Sequence, residues 1–441
     1  LPAVFRKITA YAKMPSGETE DPRGGSALPC GVVAGWLLIA SAVGARAQIL
    51  ENYLPARVLE TQSFLQQPPP DYTPQGIRLG DFVLHPQVQE SLGTNSNVQG
   101  EAGSKGSPTI ETTGMLQGQS NWSRDSLGID VDIDNVQTPR VSGLNYTNYT
   151  ASIAGSLDIG RDKLSGAYSY LNVNLLPNQI GGLGLNEVLP VVTNDMRASY
   201  AAQFASIAIV PSITVDTYRY GNAVVGGGVQ SYGYLNRDLY TPGVALRYEL
   251  APQRDLVFVL RGTSAQYLTV QAGQPGRDYV DLQALAGLDF AASGVVRYRA
   301  LLGYETRSYR SAQIPDVSSP IVEAAAIWTP TRMTTVTGAV THRIEDAIET
   351  DIYNYTYTEL RVAAEHQLYR NVLLQAYVDV QRANYAQQGG IQTTYGGGVS
   401  VAWLLNRNTR LRASVDLTDA RAPAPGDYTR NVFLLQLQFG L

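Results

Sequence analysis

The sequence predicts an all-β fold, a transmembrane antiparallel up-and-down β-barrel of the outer-membrane type with about eighteen strands, sixteen being the alternative count. Three observations predict it. Apolar and polar residues alternate with a period of two over most of the chain. In "NRNTRLRASVDLTDA", Leu411, Ala413, Val415 and Leu417 interleave with Arg410, Arg412, Ser414, Asp416 and Thr418. Successive strand side chains point to opposite faces, so one face is apolar and the other charged. Short and long connections alternate from end to end. Charged residues make up only 16% of the 441 residues, against about 25% in average usage, and the apolar residues are dispersed by alternation instead of being gathered into long runs.

The one long apolar run is "CGVVAGWLLIASAVG" (Cys30–Gly44), followed by Ala45-Arg46-Ala47. It is shorter than the about 20 residues of a membrane-spanning helix. A short apolar core ending in Ala-x-Ala predicts a secretory signal over residues 1–47, cut after Ala47. Met14 is a candidate initiator, which makes 1–13 an over-extended start. Cleavage removes Cys30, the single cysteine, and with it disulfide and thiol chemistry. Lys+Arg falls from 33 by five to 28 and Asp+Glu from 38 by three to 35, so the net charge goes from -5 to -7. That mild balance gives no reason to expect nucleic acid.

Residues 48–80 form an N-terminal extension. "ILENYLPARVLETQSFLQQPPP" carries the pattern of one helical turn and ends in three prolines, a segment suited to touching a periplasmic partner or occluding a pore. Residues 81–441 are strand-like throughout. Tight breaks fall at "NWSRD" (121–125), "DIGRD" (158–162), "VPS" (210–212), "APQRD" (251–255), "AASG" (291–294), "TPTR" (329–332), "QLYRN" (367–371) and "LLNRN" (404–408). Longer polar gaps lie at 93–107, 136–145, 174–196, 222–241, 266–277, 309–318, 344–353, 384–392 and 419–430. Eight tight turns and nine loops join eighteen strands. Arg124 to Arg407 spans 283 residues over seven hairpins, or about 40 per hairpin, which two strands of about 10 residues with their turn and loop fill. A WD40-type propeller has a similar period, but its blade signatures are missing. An even strand count puts both termini on the short-turn, periplasmic side of a Gram-negative outer membrane.

The faces distinguish a barrel from a soluble sandwich. Over 279–290, Val280, Leu282, Ala284, Ala286, Leu288 and Phe290 alternate with Tyr279, Asp281, Gln283, Leu285, Gly287 and Asp289. Small residues are common on the apolar face, where a sandwich core would be bulkier. Lipid accepts them without leaving a cavity. The charged face then lines a wet lumen. Alternation places Arg247, Glu249, Arg297, Arg299, Glu305, Arg307, Glu359, Arg361, Glu365, Asp379, Arg410, Arg412 and Asp416 there. Both signs occur, so the lumen is not strongly selective for one ion sign, and the strand from Arg297 to Arg307 is the leading ligand contact. The terminal strand "VFLLQLQFGL" puts Phe433, Leu435, Leu437, Phe439 and Leu441 on one face and closes the barrel.

Tyr146, Tyr149, Tyr353, Tyr355 and Tyr357 beside the long loops read as an aromatic girdle at the lipid interface. The apolar loop "NLLPNQIGGLGLNEVLPVVTNDM" (174–196) reads as a constriction folded into the lumen. The runs "VVGGGV" and "YGGGV" precede no helix, so they ease strand curvature and do not cradle phosphate. The three histidines are His85, His342 and His366, none tied to a serine by a motif, so no catalysis is expected. No His pair has metal-ligand spacing. Asp130 and Asp132 share a strand face through alternation alone, and Asp346–Asp351 is at most a weak calcium loop. No cofactor and no metal are expected.

Two stretches carry a family resemblance. "PDYTPQGIRLGDFVLHPQVQESLGTNSNV" (70–98) and "QSNWSRDSLGIDVDID" (119–134), with Trp122–Arg124 at the first tight turn, resemble the opening of outer-membrane β-barrel porins found near exopolysaccharide loci. The Arg-Asn turns and the last strand extend the likeness over roughly residues 80–441. The resemblance implies a barrel that lets secreted polysaccharide cross the outer membrane beside a periplasmic polysaccharide export protein. Its last strand would be handed to the barrel assembly machinery, although it ends in Leu441 where such signals usually end in an aromatic. The alternatives are a general diffusion porin for small solutes, an outer-membrane enzyme, and a structural anchor with a closed lumen.

Overall fold

The computed structural model describes residues 70–441 except 178, 181–184, 291–294, 350, 386–389 and 423–425. The secretory signal, most of the extension and the tight turn expected at 291–294 therefore lie outside the described residues. The first half of the barrel is β1 (Phe82–Asn95), β2 (Ser107–Ser120), β3 (Ser126–Gln137), β4 (Tyr146–Ile159), β5 (Asp162–Leu175), β6 (Leu189–Gln203), β7 (Ile207–Tyr220), β8 (Arg237–Ala251) and β9 (Arg254–Tyr267). The second half is β10 (Tyr279–Phe290), β11 (Val296–Tyr309), β12 (Val317–Thr331), β13 (Thr334–Asp346), β14 (Asn354–Tyr369), β15 (Val372–Tyr385), β16 (Gly390–Leu404), β17 (Thr409–Arg421) and β18 (Tyr428–Gly440). Each pairs antiparallel with the next. β18 returns to β1, with Gln87 opposite Gly440 and Asn95 opposite Val432. The result is a closed antiparallel barrel of eighteen strands. Closure leaves no edge, which hydrocarbon demands because nothing in it can satisfy a free backbone N–H or C=O.

The two faces separate as alternation predicts. On β10, Val280, Leu282 and Leu288 are exposed while Asp281, Leu285 and Asp289 are buried. Leu411 stands on the outward face with exposed Val415 and Leu417, and Arg412 and Asp416 are buried on the inner one. Trp122, Phe204, Tyr248, Trp328, Tyr369, Trp403 and Phe439 are exposed beside the tight turns, an aromatic ring at the turn end of the barrel.

Three boundaries differ from the sequence reading, each for a physical reason. Residues 210–212 are not a turn: Pro211 lies inside β7, opposite Val244 of β8. The β6–β7 ladder skips the positions between Ala202–Ile209 and Ser199–Ser212, so the missing N–H of Pro211 breaks no bond. The turn is at Phe204, whose N–H donates to the Ile207 carbonyl (2.8 Å). The 174–196 loop is shorter than expected, because "LPVVTND" already alternates as strand from Leu189. Within the 221–236 connection, Asn222–Val225 pairs with Gly228–Ser231 around Gly226 and Gly227. Both glycines have positive φ (58° and 82°), so "VVGGGV" makes a two-residue hairpin turn and does not ease curvature.

One outward position is out of character. Trp403, Leu411, Leu437, Glu90, Thr112, Asn135 and Thr147 lie opposite one another on successive strands. That line climbs from the aromatic turn end to the polar loop end, with Glu90 in its middle. Among the described outward-facing side chains, Glu90 is the acidic or basic one nearest mid-height, and the Thr112 hydroxyl donates to it at 2.8 Å. An acid at that depth costs stability. Replacing Glu90 with leucine is expected to raise the barrel's unfolding free energy by about 1 kcal/mol, read by reversible urea unfolding in lipid bilayers.

Candidate functional site

The candidate site is the lumen, built by every second residue of the eighteen strands. All the pore-lining positions expected from alternation stand on its wall. Arg299, Glu305, Arg307, Asp379, Arg412 and Asp416 are buried, and Arg247, Glu359, Arg361, Glu365 and Arg410 are half-buried. Glu249 and Arg297 are exposed at the turn end. Buried charge needs compensation, and across β8 to β15 it comes from paired side chains. Arg247 meets Asp289 at 2.9 Å and Asp255 at 3.6 Å. Arg261 pairs with Glu323, and Arg361 lies 3.7 Å from Asp379 with its guanidinium over the Tyr377 ring. Arg412 donates to Gln375 at 2.9 Å, and the Tyr377 hydroxyl donates to Asp416 at 2.7 Å.

Glycine makes room for this layer. On β16, Gly396 and Gly398 are inward positions opposite Asp379 and Tyr377. A Cβ on Gly396 would stand 2.6 Å from Asp379 Oδ1, and one on Gly398 would run into the Asp416 carboxylate and the Tyr377 ring. The "YGGGV" run therefore seats buried side chains, a role that local sequence does not reveal.

Loops narrow the lumen at its long-loop end. Ile180, from the β5–β6 connection, is fully buried against Ala347, Tyr355, Tyr357, Ala383 and Tyr385. Those strands, β14 and β15, stand nine places round the ring from β5 and β6, so the contact spans the lumen. The constriction expected from the apolar loop is present in this form. A second cluster joins Leu171, Leu175, Leu185, Leu189 and Tyr218 to Tyr232 and Leu235 of the 221–236 connection and to Ile348. Tyr355 and Tyr357 are thus lumen residues, which corrects their assignment to the lipid girdle. Tyr146 also stands on the inner face, Tyr353 lies beneath the Arg277 guanidinium, and Tyr149 faces outward as expected.

A polar latch holds the inner tip of the β13–β14 hairpin. β13 stays paired with β14 as far as Asp346 and Asn354, but its pairing with β12 stops at His342. Asp346 receives Arg307 at 2.7 Å, Arg237 at 3.1 Å and the Tyr279 hydroxyl at 3.1 Å. Arg307 also meets Asp281 at 3.2 Å. Arg277 donates to the carbonyls of Ala347 (3.0 Å) and Glu349, and the Tyr234 hydroxyl donates to that of Ile348 (2.7 Å). The acidic stretch read as a weak calcium loop begins with this arginine-bound Asp346. Arg237, Arg277 and Tyr234 escaped sequence reasoning because their partners lie tens of residues away. Burial pushes the Glu349 carboxyl up to about 6, against the pull of backbone donors and Arg277.

At the turn end, residues 70–76 cross beneath the rim of the barrel. Asp71 pairs with Arg370 at 2.9 Å, and Tyr72 packs on Leu373, Ala402 and Leu404 at the inner edge of β15 and β16. The histidines stand apart. His85 faces the lumen, and His366 lies on the outer face beside Thr334 (3.0 Å). His342 sits between Ser319 (3.0 Å) and Thr358 (2.7 Å), a serine link that no sequence motif announced. Thr358 carries no charge to stabilise an imidazolium, so the trio lacks the acid of a hydrolytic triad.

Three outcomes follow from this geometry. Ile180→Asp, which puts a charge among the tyrosines, is expected to raise single-channel conductance several-fold in planar bilayers. Gly398→Ala is expected to cost about 1–3 kcal/mol of unfolding free energy by overpacking. Glu349 has a raised value in the closed arrangement and an ordinary one when exposed, so the closed form takes up protons as pH falls through about 6. Conductance should accordingly be lower at pH 5 than at pH 7, and Glu349→Gln should remove that dependence.

The family model described as "Putative beta-barrel porin 2" matches residues 69–440. Solved structures to which the chain is similar include Acinetobacter baumannii OccAB3, at 10% identity and TM-score 0.45, covering 82% of this chain and 100% of that one. Pseudomonas aeruginosa OccK2 (OpdF) in complex with glucuronate matches at 11% identity and TM-score 0.46, over 83% and 100%. Pseudomonas aeruginosa OccK9 (OpdG) matches at 12% identity and TM-score 0.45, over 82% and 99%. No curated protein matches the chain. With its family model spanning the whole barrel, the chain belongs to the "Putative beta-barrel porin 2" family and is an outer-membrane β-barrel porin.

Proposed function

We propose that this porin is a diffusion channel for small hydrophilic solutes, with its tight turns and both ends of the barrel chain on the periplasmic side. The observation that carries the reading is the narrowing of a charged, hydrogen-bonding lumen by the contact of Ile180 with Tyr355 and Tyr357 across it. A lumen wall of arginines, carboxylates and amides suits hydrated molecules, and the apolar contact limits their size.

Export of exopolysaccharide, the function that the sequence resemblance implies, uses the same wall differently. A sugar polymer passes only after the Ile180 contact and the Asp346 latch have come apart, and a periplasmic export partner would have to drive that. The two readings separate in a strain lacking the protein. Small-solute diffusion predicts slower uptake of a monosaccharide across the outer membrane and unchanged secreted polysaccharide, both measured with and without the restored gene. Loss of secreted polysaccharide that the gene restores, with unchanged monosaccharide uptake, would overturn it.

A further inference from the structure

Asp346 stands in the lumen although its place in β13 points it at lipid. On that strand Val336, Gly338 and Val340 face outward, with Val336 opposite exposed Trp328 of β12 and Val340 opposite exposed Leu360 of β14. Alternation puts Ile344 and Asp346 on the same face. Yet Ile344 is 3% exposed, and Asp346 is held by Arg307 and Arg237. The β13–β14 hairpin therefore turns inward after His342, and the reason lies on the neighbouring strand.

The ladders set which backbone groups meet. Thr329 of β12 donates its N–H to the Val295 carbonyl at the foot of β11 (2.7 Å), and the β11–β12 register runs unbroken from Val296–Trp328 to Arg307–Val317. Odd residues of β12 thus bond to β11, and even ones face β13. Gln367 of β14 donates to the Met333 carbonyl (2.8 Å), so odd residues of β13 bond to β14 and even ones face β12. Val322 and His342 are the last pair of the β12–β13 ladder toward the loop end. The next bonding pairs in that register would be Pro320 with Ile344 and Ser318 with Asp346. Pro320 has no N–H to give the Ile344 carbonyl, and its ring stands where that carbonyl would come. The ladder stops there.

Lumen side chains take over what the ladder gives up. The Ile344 N–H donates to Glu305 Oε2 at 3.2 Å, and the Ile344 carbonyl receives Arg307 at 3.4 Å. The His342 imidazole fills the fork, hydrogen-bonded to Ser319 of β12 at 3.0 Å and to Thr358 of β14 at 2.7 Å. Beyond the fork the hairpin carries Ala347, Tyr355 and Tyr357 to Ile180.

We infer that Pro320, exposed on the lipid-facing side of the wall, is the residue that positions the constriction of the lumen. It is a positioning residue and acts through β13. By denying Ile344 a place in the wall, it leaves the hairpin tip to Glu305, Arg307 and the latch. A residue with an N–H at position 320 lets the ladder run on to Asp346, turns that carboxylate outward and draws Tyr355 and Tyr357 away from Ile180. The inference rests on the reading of the barrel as a channel narrowed at Ile180.

The test is single-channel conductance in planar bilayers. Pro320→Val restores the N–H and is made in the Asp346→Asn background, where the arginines hold the tip less tightly. The combined variant is expected to conduct several-fold better than Asp346→Asn alone. The same exchange at Pro242 of β8, where the β8–β9 ladder skips Thr241 and Pro242, should add nothing. Equal conductance with and without Pro320→Val, or an equal gain from Pro242→Val, would overturn the inference. If the valine variant fails to insert, Pro320→Ala restores the same N–H and is held to the same outcomes. Proximity gives a second readout, which a change in stability alone does not move. Opposite residues of a hydrogen-bonded pair stand about 5.5 Å apart, within disulfide reach. Ser318→Cys with Asp346→Cys should therefore cross-link under an added oxidant when Pro320→Val is present and not when Pro320 is kept, and equal cross-linking would overturn the inference. Ile180→Asp separates the two readings. If it leaves conductance unchanged, the constriction and the part of Pro320 in it fall together. If it raises conductance and Pro320→Val does not, only the part of Pro320 falls.

Discussion

Everything in this molecule depends on the pairing of every strand with two neighbours in a medium that offers no other hydrogen-bond partner. An open sheet in hydrocarbon would leave two rows of bare backbone groups at several kcal/mol each. The seam between β18 and β1 is therefore the bond that makes the rest possible. Closure also imposes the division of labour among side chains. With the sheet rolled up, one parity of each strand must suit lipid and the other must suit whatever fills the interior.

The interior is not an empty tube. Arginines and carboxylates pair across adjacent strands, glycines on β16 let Asp379 and Tyr377 lie close to the wall, and loops from opposite sides meet at the long-loop end. The meeting point has two layers of different character. Ile180 and the tyrosines make an apolar contact, and Arg237, Arg277 and Arg307 make a charged latch on Asp346 and the backbone after it. An apolar contact is insensitive to salt, whereas a latch of charges and a buried carboxyl respond to salt and acid. Narrowing and responsiveness thus sit in different residues, which lets one be changed without the other.

Sequence alone determined the strand periodicity, the alternation of turns and loops, the count of eighteen, and the parity that put Arg307, Asp379 and Asp416 inside, because each of these is written in neighbours one or two residues apart. It misread Pro211 as punctuation, since only the ladder shows that β7 has a position where no N–H is needed. It placed Tyr355 and Tyr357 in the lipid girdle, since nothing local says that their hairpin leans inward once β13 leaves β12 at His342. The latch on Asp346 and the span from Ile180 to β14 were decided by the tertiary structure. Each is a relation between strands far apart in the chain, and only the closing of the ring sets which of them face one another.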